Sequence, residues 1–500
     1  MPATWRRLLR ATVTASSRWT VHLALLVAAV LATIVLVFAI QARVRLADLD
    51  PWHTIELEEE FRVGRPGAPK TFDEYRQLED RLFAELRRRV VDDPAVADRW
   101  AIGRYNPRSV PAQLALERPY NRSYELAPED PRGAVLLVHG LSDAPYSLRA
   151  VAEIFRDRGF YVLVLRLPGH GTIPSGLVHT DWEDWYAAVS LAARHAAARV
   201  GPGKPFYAGG YSTGGALVTL YTLRGLEDPS LARPAHLFLF SPAIGVSRFA
   251  ALSNIAGSLS FIPYFEKARW LDVLPEYDPY KYNSFPVSAG NQAFLLTREV
   301  HHAIDEAQAR GTLARMPPVL AFQSLIDATV TAADLVGRLF LKLPPNGHEL
   351  VVFGVNRYEA FNELIAPGPR EAFDAIVTAP ALPFRLTLVT NASGDTTEVA
   401  AFAREAGSRE TRAVSLGLAW PPEIVSLGHV AIPFPPDDPV YGLRPRTDVP
   451  PRYALGERAA RGEAGALVVP LGALARLRSN PFFEVIPRRI DAHLREGASP

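Results

Sequence analysis

The chain has 500 residues, 48% of them hydrophobic, and a formal net charge of +1. That length suffices for a large core, and so small a charge removes the electrostatic case for nucleic acid or for general attachment to acidic surfaces. The absence of cysteine excludes disulfides, thiol catalysis and cysteine metal sites, and leaves the redox compartment open.

Residues 21–40 contain no Asp, Glu, Lys or Arg, and His22 is their only titratable side chain. At the helical rise this run is long enough to cross a hydrocarbon core of roughly 30 Å. A cleaved signal would have a shorter apolar region and an A-x-A-like site; Ala39-Ile40-Gln41-Ala42 fits that poorly. The expectation is a transmembrane helix over 21–40 that is not removed. Arg6, Arg7, Arg10 and Arg18 precede it, which places residues 1–20 in the cytoplasm and the bulk of the chain on the outer, periplasmic side of the inner membrane. Residues 41–130 read as a linker, a packed helix and edge strands. The helix covers 73–91, with Tyr75, Leu78, Leu82, Phe83, Leu86 and Val90 on one stripe. Segments 100–105 and 123–126 are expected as edge strands.

Residues 133–138 form a continuous apolar run, as a strand buried on both faces requires, and end at His139-Gly140-Leu141. A helix is expected over 146–157, a second buried strand over 161–165 and an Ala-rich helix over 181–200. Another short apolar strand, 205–208, leads into Gly210-Tyr211-Ser212-Thr213-Gly214, which fits G-x-S-x-G. A helix follows over 216–223 and stops at Gly225. Strand 236–240 ends at Ser241-Pro242. Alternation of strands and helices implies a mainly parallel sheet with right-handed crossovers. A strand, a sharp turn carrying a serine, and a helix make a nucleophile elbow. Taken alone, the five-residue motif also suits an ordinary Gly-rich loop.

Four pieces carry a resemblance: VHG at 138–140, RLPGHG at 166–171, GYSTGG at 210–215 and FLFSPA at 238–243. In their order and spacing the chain resembles the α/β-hydrolases, and within them the serine esterases and monoacylglycerol-lipase-like enzymes. A weaker resemblance runs on from 318 to about 430. It implies an α/β-hydrolase fold, a mainly parallel sheet flanked by helices, over 131–500. A cap insertion is expected at about 249–316 and a C-terminal extension over 431–500.

A serine hydroxyl needs a base and a group that orients the base, and this fold supplies them in the order Ser, acid, His. The resemblance makes Ser212 the nucleophile. His139 and His170 precede it and have structural places in the family pattern. Adjacent His301 and His302 face different ways on a helix and make no metal pair. His429, behind Gly428 and late in the chain, stands where the family keeps its base; His348 in a polar turn is its rival. Asp327 follows the apolar strand 318–322 in a pattern resembling the family's strand, loop, Asp, x, x, Val, with Ser324 where a glycine is frequent. Asp395, after the apolar run 384–390, is the rival acid. The long separation of Asp327 and His429 reads as an insertion. Backbone N–H groups of Leu141 and Thr213 are the expected oxyanion donors.

Aromatics within 249–316, among them Tyr277, Tyr280 and Tyr282, suit either an acyl chain or the cap's own core. The last helix is expected over 481–494, with Asn480 as its N-cap and a kink at Pro487. The function expected is that of a membrane-anchored serine hydrolase. It would cleave carboxylic esters, of lipid or acylglycerol type, through an acyl-enzyme, with no metal or organic cofactor. Its partners would be a small-molecule or lipid ester and the membrane. An acyltransferase with the same triad, and a non-catalytic scaffold on the same fold, are the alternatives.

Overall fold

The computed structural model describes residues 21–496 except 31, 34–35, 38–39, 42–43, 98–99, 246–262, 328–329, 359–362, 364, 447, 449–451, 458–468 and 470. Among the described residues no helix is long and apolar enough to cross a membrane. Residues 21–30 are helical. The expected transmembrane helix over 21–40 is therefore not upheld, and the single-pass inner-membrane placement with a periplasmic domain is withdrawn. Positions 1–20, and 31, 34, 35, 38 and 39 within that helix, lie outside the described residues.

The strands, in chain order, are β1 (Tyr124–Leu126), β2 (Ala134–Val138), β3 (Tyr161–Leu165), β4 (Phe206–Tyr211), β5 (His236–Phe240), β6 (Trp270–Asp272), β7 (Phe285–Pro286), β8 (Val319–Ser324), β9 (Glu349–Phe353), β10 (Arg385–Asn391), β11 (Glu398–Arg404) and β12 (Arg412–Ala419). All but β6 and β7 form one sheet in the order β1-β3-β2-β4-β5-β8-β9-β10-β11-β12. The run from β3 to β10 is parallel throughout. Strands β1, β11 and β12 join it antiparallel at its two edges.

The uninterrupted apolar runs explain the centre. Every residue of β2, β3, β4, β5, β8 and β9 is buried, as strands covered by helices on both faces must be. Alternate side chains serve two cores. Ala134, Leu136 and Val138 face the core built on the helices Trp182–Val200 and Thr213–Gly225. Val135 and Leu137 face the one closed by Arg149–Asp157 and Val485–Glu496.

Three local expectations change. Residues 100–105 form turns, because Gly103 N–H and the Asn106 side chain both donate to the Trp100 carbonyl. The helix expected from 73 begins at Phe72, capped by the Thr71 hydroxyl, and its last turn, Arg87–Val91, widens to a π-helix. The final helix starts at Val485, which puts Pro487 in the first turn, where a missing N–H costs nothing. Residues 481–484 remain a turn that Asn480 caps through Phe482 N–H at 2.9 Å.

Candidate active site

Ser212 stands at the C-terminal end of β4, in the turn before the helix Thr213–Gly225, with φ +53°. The turn closes tightly. A Cβ on Gly210 would lie 2.3 Å from Gly214, and one on Gly214 would lie 2.0 Å from the Val138 carbonyl oxygen. Both positions must be glycine for the helix to start this close to β2 and β4. Ser212 N–H donates to Phe240 O at 2.9 Å, and Ala243 N–H donates to Ser212 O at 2.9 Å, so β5 holds the turn from the other side. Leu141 lies between Gly140 and Ser142 in the loop after β2. A Cβ on Gly140 would sit 3.0 Å from Cβ of Ser212, and Ser142 takes φ +62°. Thr213 opens the helix.

Asp327 follows β8 and is 6% exposed. Its Oδ1 accepts Val330 N–H at 2.9 Å. Its Oδ2 accepts the Gln323 amide at 3.0 Å and lies 2.7 Å from Nδ1 of His429. The pair is buried, and the carboxylate fixes Nδ1 as the protonated nitrogen, which leaves Nε2 as the basic one. The His429 ring also packs 5.3 Å from the ring of Tyr211, the residue before Ser212. Ser212 and Asp327 are thus carried by loops at the C-terminal ends of β4 and β8, and His429 by a later loop that meets Asp327.

The long separation of acid and base has a local explanation. After β9 the chain passes Val355 and comes back beside it at Ser426, and these two residues form an antiparallel bridge. Asn356 N–H donates to Val425 O, and its side chain to Ile424 O. Residues 356–425 are an excursion clipped at its base. It carries the helix Pro367–Thr378 and strands β10 to β12. From the clip the chain runs three residues to His429. Ser324 Oγ donates to Leu427 O at 2.6 Å and accepts Ile326 N–H at 3.2 Å, so it joins the acid loop to the base loop.

The rivals lie elsewhere. His348 precedes β9, at the opposite end of the parallel sheet from Ser212. Its Nδ1 accepts Val319 N–H at 3.1 Å, and burial lowers its pKa to about 4. Asp395 is exposed in the β10–β11 turn, bonded to Ser393. His139 and His170 are buried neighbours, and burial holds both well below the usual imidazole range. His139 Nε2 accepts Leu167 N–H at 3.0 Å, which ties together the loops after β2 and β3. His301 bonds to the Ile244 carbonyl. Among the described residues no group of His, Cys, Asp or Glu could hold a metal ion.

Residues 276–284 roof the loop after β2. Tyr282 N–H donates to Ser142 O at 2.9 Å, and Lys281 pairs with Asp143 at 3.1 Å. Burial pushes the Asp143 carboxyl up, and the Lys281 ammonium opposes that shift. Tyr280 stacks on Tyr146 with centroids 3.9 Å apart. Tyr280 is therefore a packing contact between this segment and Tyr146. Lys281 lies 138 residues from Asp143 in the chain, so no local spacing announces the pair.

A parallel sheet with right-handed crossovers, a serine on a glycine-walled strand–turn–helix, and an Asp–His pair from later strands define an α/β-hydrolase. Residues 129–363 belong to that superfamily and match the family model described as "Serine aminopeptidase, S33". The chain is also 34% identical over 110 residues, 22% of its length, to a thermostable monoacylglycerol lipase of Bacillus sp. (strain H-257); the match spans 42% of that relative. One chain of the solved LipS and LipT structures, two metagenome-derived lipolytic enzymes, is 24% identical with a TM-score of 0.37 over 47% of this chain and 87% of that one. A soluble variant of the Saccharomyces cerevisiae monoglyceride lipase is 14% identical, with a TM-score of 0.35 over 46% of this chain and 81% of that one. His429 lies beyond the residues that the family model matches.

Proposed function

We propose that the protein hydrolyses carboxylic esters, of lipid or acylglycerol type, with Ser212 as nucleophile, His429 as base and Asp327 as the group that orients it. The observation that carries this reading is the buried 2.7 Å pair between His429 and Asp327 beside the Ser212 turn. Ser212 Oγ attacks the ester carbonyl while Nε2 of His429 takes the hydroxyl proton. The oxyanion is received by the N–H groups of Leu141 and Thr213. The tetrahedral intermediate collapses, the C–O bond breaks, and the alcohol leaves with the proton from His429. Water then attacks the acyl-enzyme by the same route and releases the acid. Asp327 holds the imidazole in one tautomer and balances the imidazolium that forms. The roof over the site belongs to a cap at about 249–316, of which 249–262 lies outside the described residues.

Labelling with a fluorophosphonate probe, followed by turnover of 4-nitrophenyl esters of rising chain length, tests the reading. Ser212→Ala is expected to abolish labelling and leave the melting curve nearly unchanged. His429→Ala and Asp327→Asn are each expected to cut kcat by about 10³-fold or more. Full labelling of the Ser212→Ala variant would place the nucleophile elsewhere. The same loss from His348→Ala, with a normal melting curve, would sink the assignment of the base.

A further inference from the structure

Beside the His429 loop lies a cavity of about 360 Å³, bordered by Ser142 and Asp143 on one side and by Val430 on the other. Its walls are largely aromatic and aliphatic, from Tyr277, Tyr282, Phe285 and Phe434, yet six charged side chains also line it. Four of them neutralise each other: Lys281 pairs with Asp143 at 3.1 Å, and Arg478 with Asp278 at 3.4 Å. Arg476 is different. Among the described residues it has neither an ion pair nor a hydrogen bond, and it is exposed. It also lies against the base loop, since a Cβ on Gly428 would come within 3.4 Å of Arg476 Nε. The sixth charge, Asp272 at the end of β6, is likewise unpaired, but burial pushes its carboxyl up, which weakens it as a seat for a cation.

We propose that this cavity binds an anionic oxygen group of the substrate, a carboxylate or a phosphate, and that Arg476 is the residue that reads it. A guanidinium presents parallel N–H donors that match either group in a two-point contact. The cation stands next to Gly428-His429, so the anion lies close to the ester being cleaved. The apolar walls take the carbon chain between ester and anion. This assignment names the substrate class for the ester-hydrolase reading and rests on it.

The test compares matched esters. Wild-type protein is expected to turn over mono-4-nitrophenyl glutarate with a higher kcat/KM than 4-nitrophenyl pentanoate. A phosphate seat shows instead as a preference for 1-butyrylglycerol 3-phosphate over 1-butyrylglycerol, and a preference in neither pair overturns the assignment. The first pair carries the anion on the acyl side as a carboxylate, and the second on the alcohol side as a phosphate, so the favoured pair identifies the source. Arg476→Gln is expected to lower the anionic-to-neutral ratio about tenfold in that pair, and Arg476→Lys to lower it less. An unchanged ratio in Arg476→Gln, or a ratio moved by Asp272→Asn instead, would overturn the assignment. Binding of N-phenylglutaramate, an amide that needs no nucleophile, is measured by calorimetry in parallel. Weaker binding to Arg476→Gln supports the anion site even if no ester is hydrolysed; equal binding removes the carboxylate, and equal binding of glycerol 3-phosphate in the same experiment removes the phosphate. Failure of labelling at Ser212 bears on the ester-hydrolase reading alone.

Discussion

Ser324 shows how one side chain can serve a site it does not touch. The related pattern often has glycine there, and nothing in the neighbouring residues accounts for the change. The structure supplies one: the hydroxyl bridges the acid loop and the base loop through Leu427 O and Ile326 N–H. Ser324→Ala leaves the buried Leu427 carbonyl without that donor, a loss of about 1–3 kcal/mol. The expected outcome is a lower urea midpoint together with a several-fold lower kcat at unchanged KM. A fall in stability with kcat intact would make the hydroxyl merely structural. The Asp327 and His429 positions were legible because each follows an apolar strand or a glycine in a fixed order. Arg476 and Lys281 were not, since a lone cation in a loop carries no periodicity, and its role depends on which chain segment folds beside it.

At the scale of elements, the central strands and the edge strand β1 were legible, and the far edge, β11 and β12, was not. Strands buried on both faces read as unbroken apolar runs, and β2, β3, β5 and β8 lie within about two residues of their expected bounds. Strand β12 is exposed along most of its length, so its composition gives no such signal. The roof segment 276–284 carries the element-scale prediction. Glu276 is buried, and its carboxylate accepts Asn283 N–H and Ser284 N–H at 3.0 and 2.8 Å. Burial outweighs these bonds and the nearby Arg104, and pushes the Glu276 pKa up to about 7. The folded protein therefore holds this proton more tightly than the unfolded chain, whose Glu titrates at the ordinary 4.5. The stabilisation is complete below about 4.5 and is lost as pH rises through about 7. Hydrogen exchange of the Asn283 and Ser284 amides, corrected for intrinsic rate, is expected to show weaker protection at pH 8 than at pH 6. Glu276→Gln should flatten that difference; a pH-dependence that survives the substitution would assign it to another group.

Across the whole molecule, the segments before β1 and after β12 are stitched into the same body. Glu60 belongs to the acidic run 58–60, where charge ordinarily keeps a side chain exposed. It is buried instead against Arg166, with 3.1 Å between Oε1 and the guanidinium, while Glu79 holds the same side chain at 2.8 Å. Arg166 also donates to the His170 carbonyl and so fixes the loop after β3. Arg166→Met would strand two carboxylates in the interior, and a loss of about 3–5 kcal/mol is expected from breaking such a cluster. Urea unfolding measures it, and a change below about 1 kcal/mol would mean that water already reaches the cluster. At the other end of the chain, Arg158 and Asp491 join the last helix to Arg149–Asp157, and His493 lies 2.9 Å from Glu349 beneath β9. The bridge between Val355 and Ser426 gives the molecule a further property. Because residues 356–425 begin and end at one point, they form a side branch, and the working path from acid to base is far shorter than the numbering suggests. Lengthening, shortening or exchanging that branch changes the width of the sheet while leaving the distance between Asp327 and His429 to the clip. This fold can thus vary in size at that junction without rebuilding its chemistry.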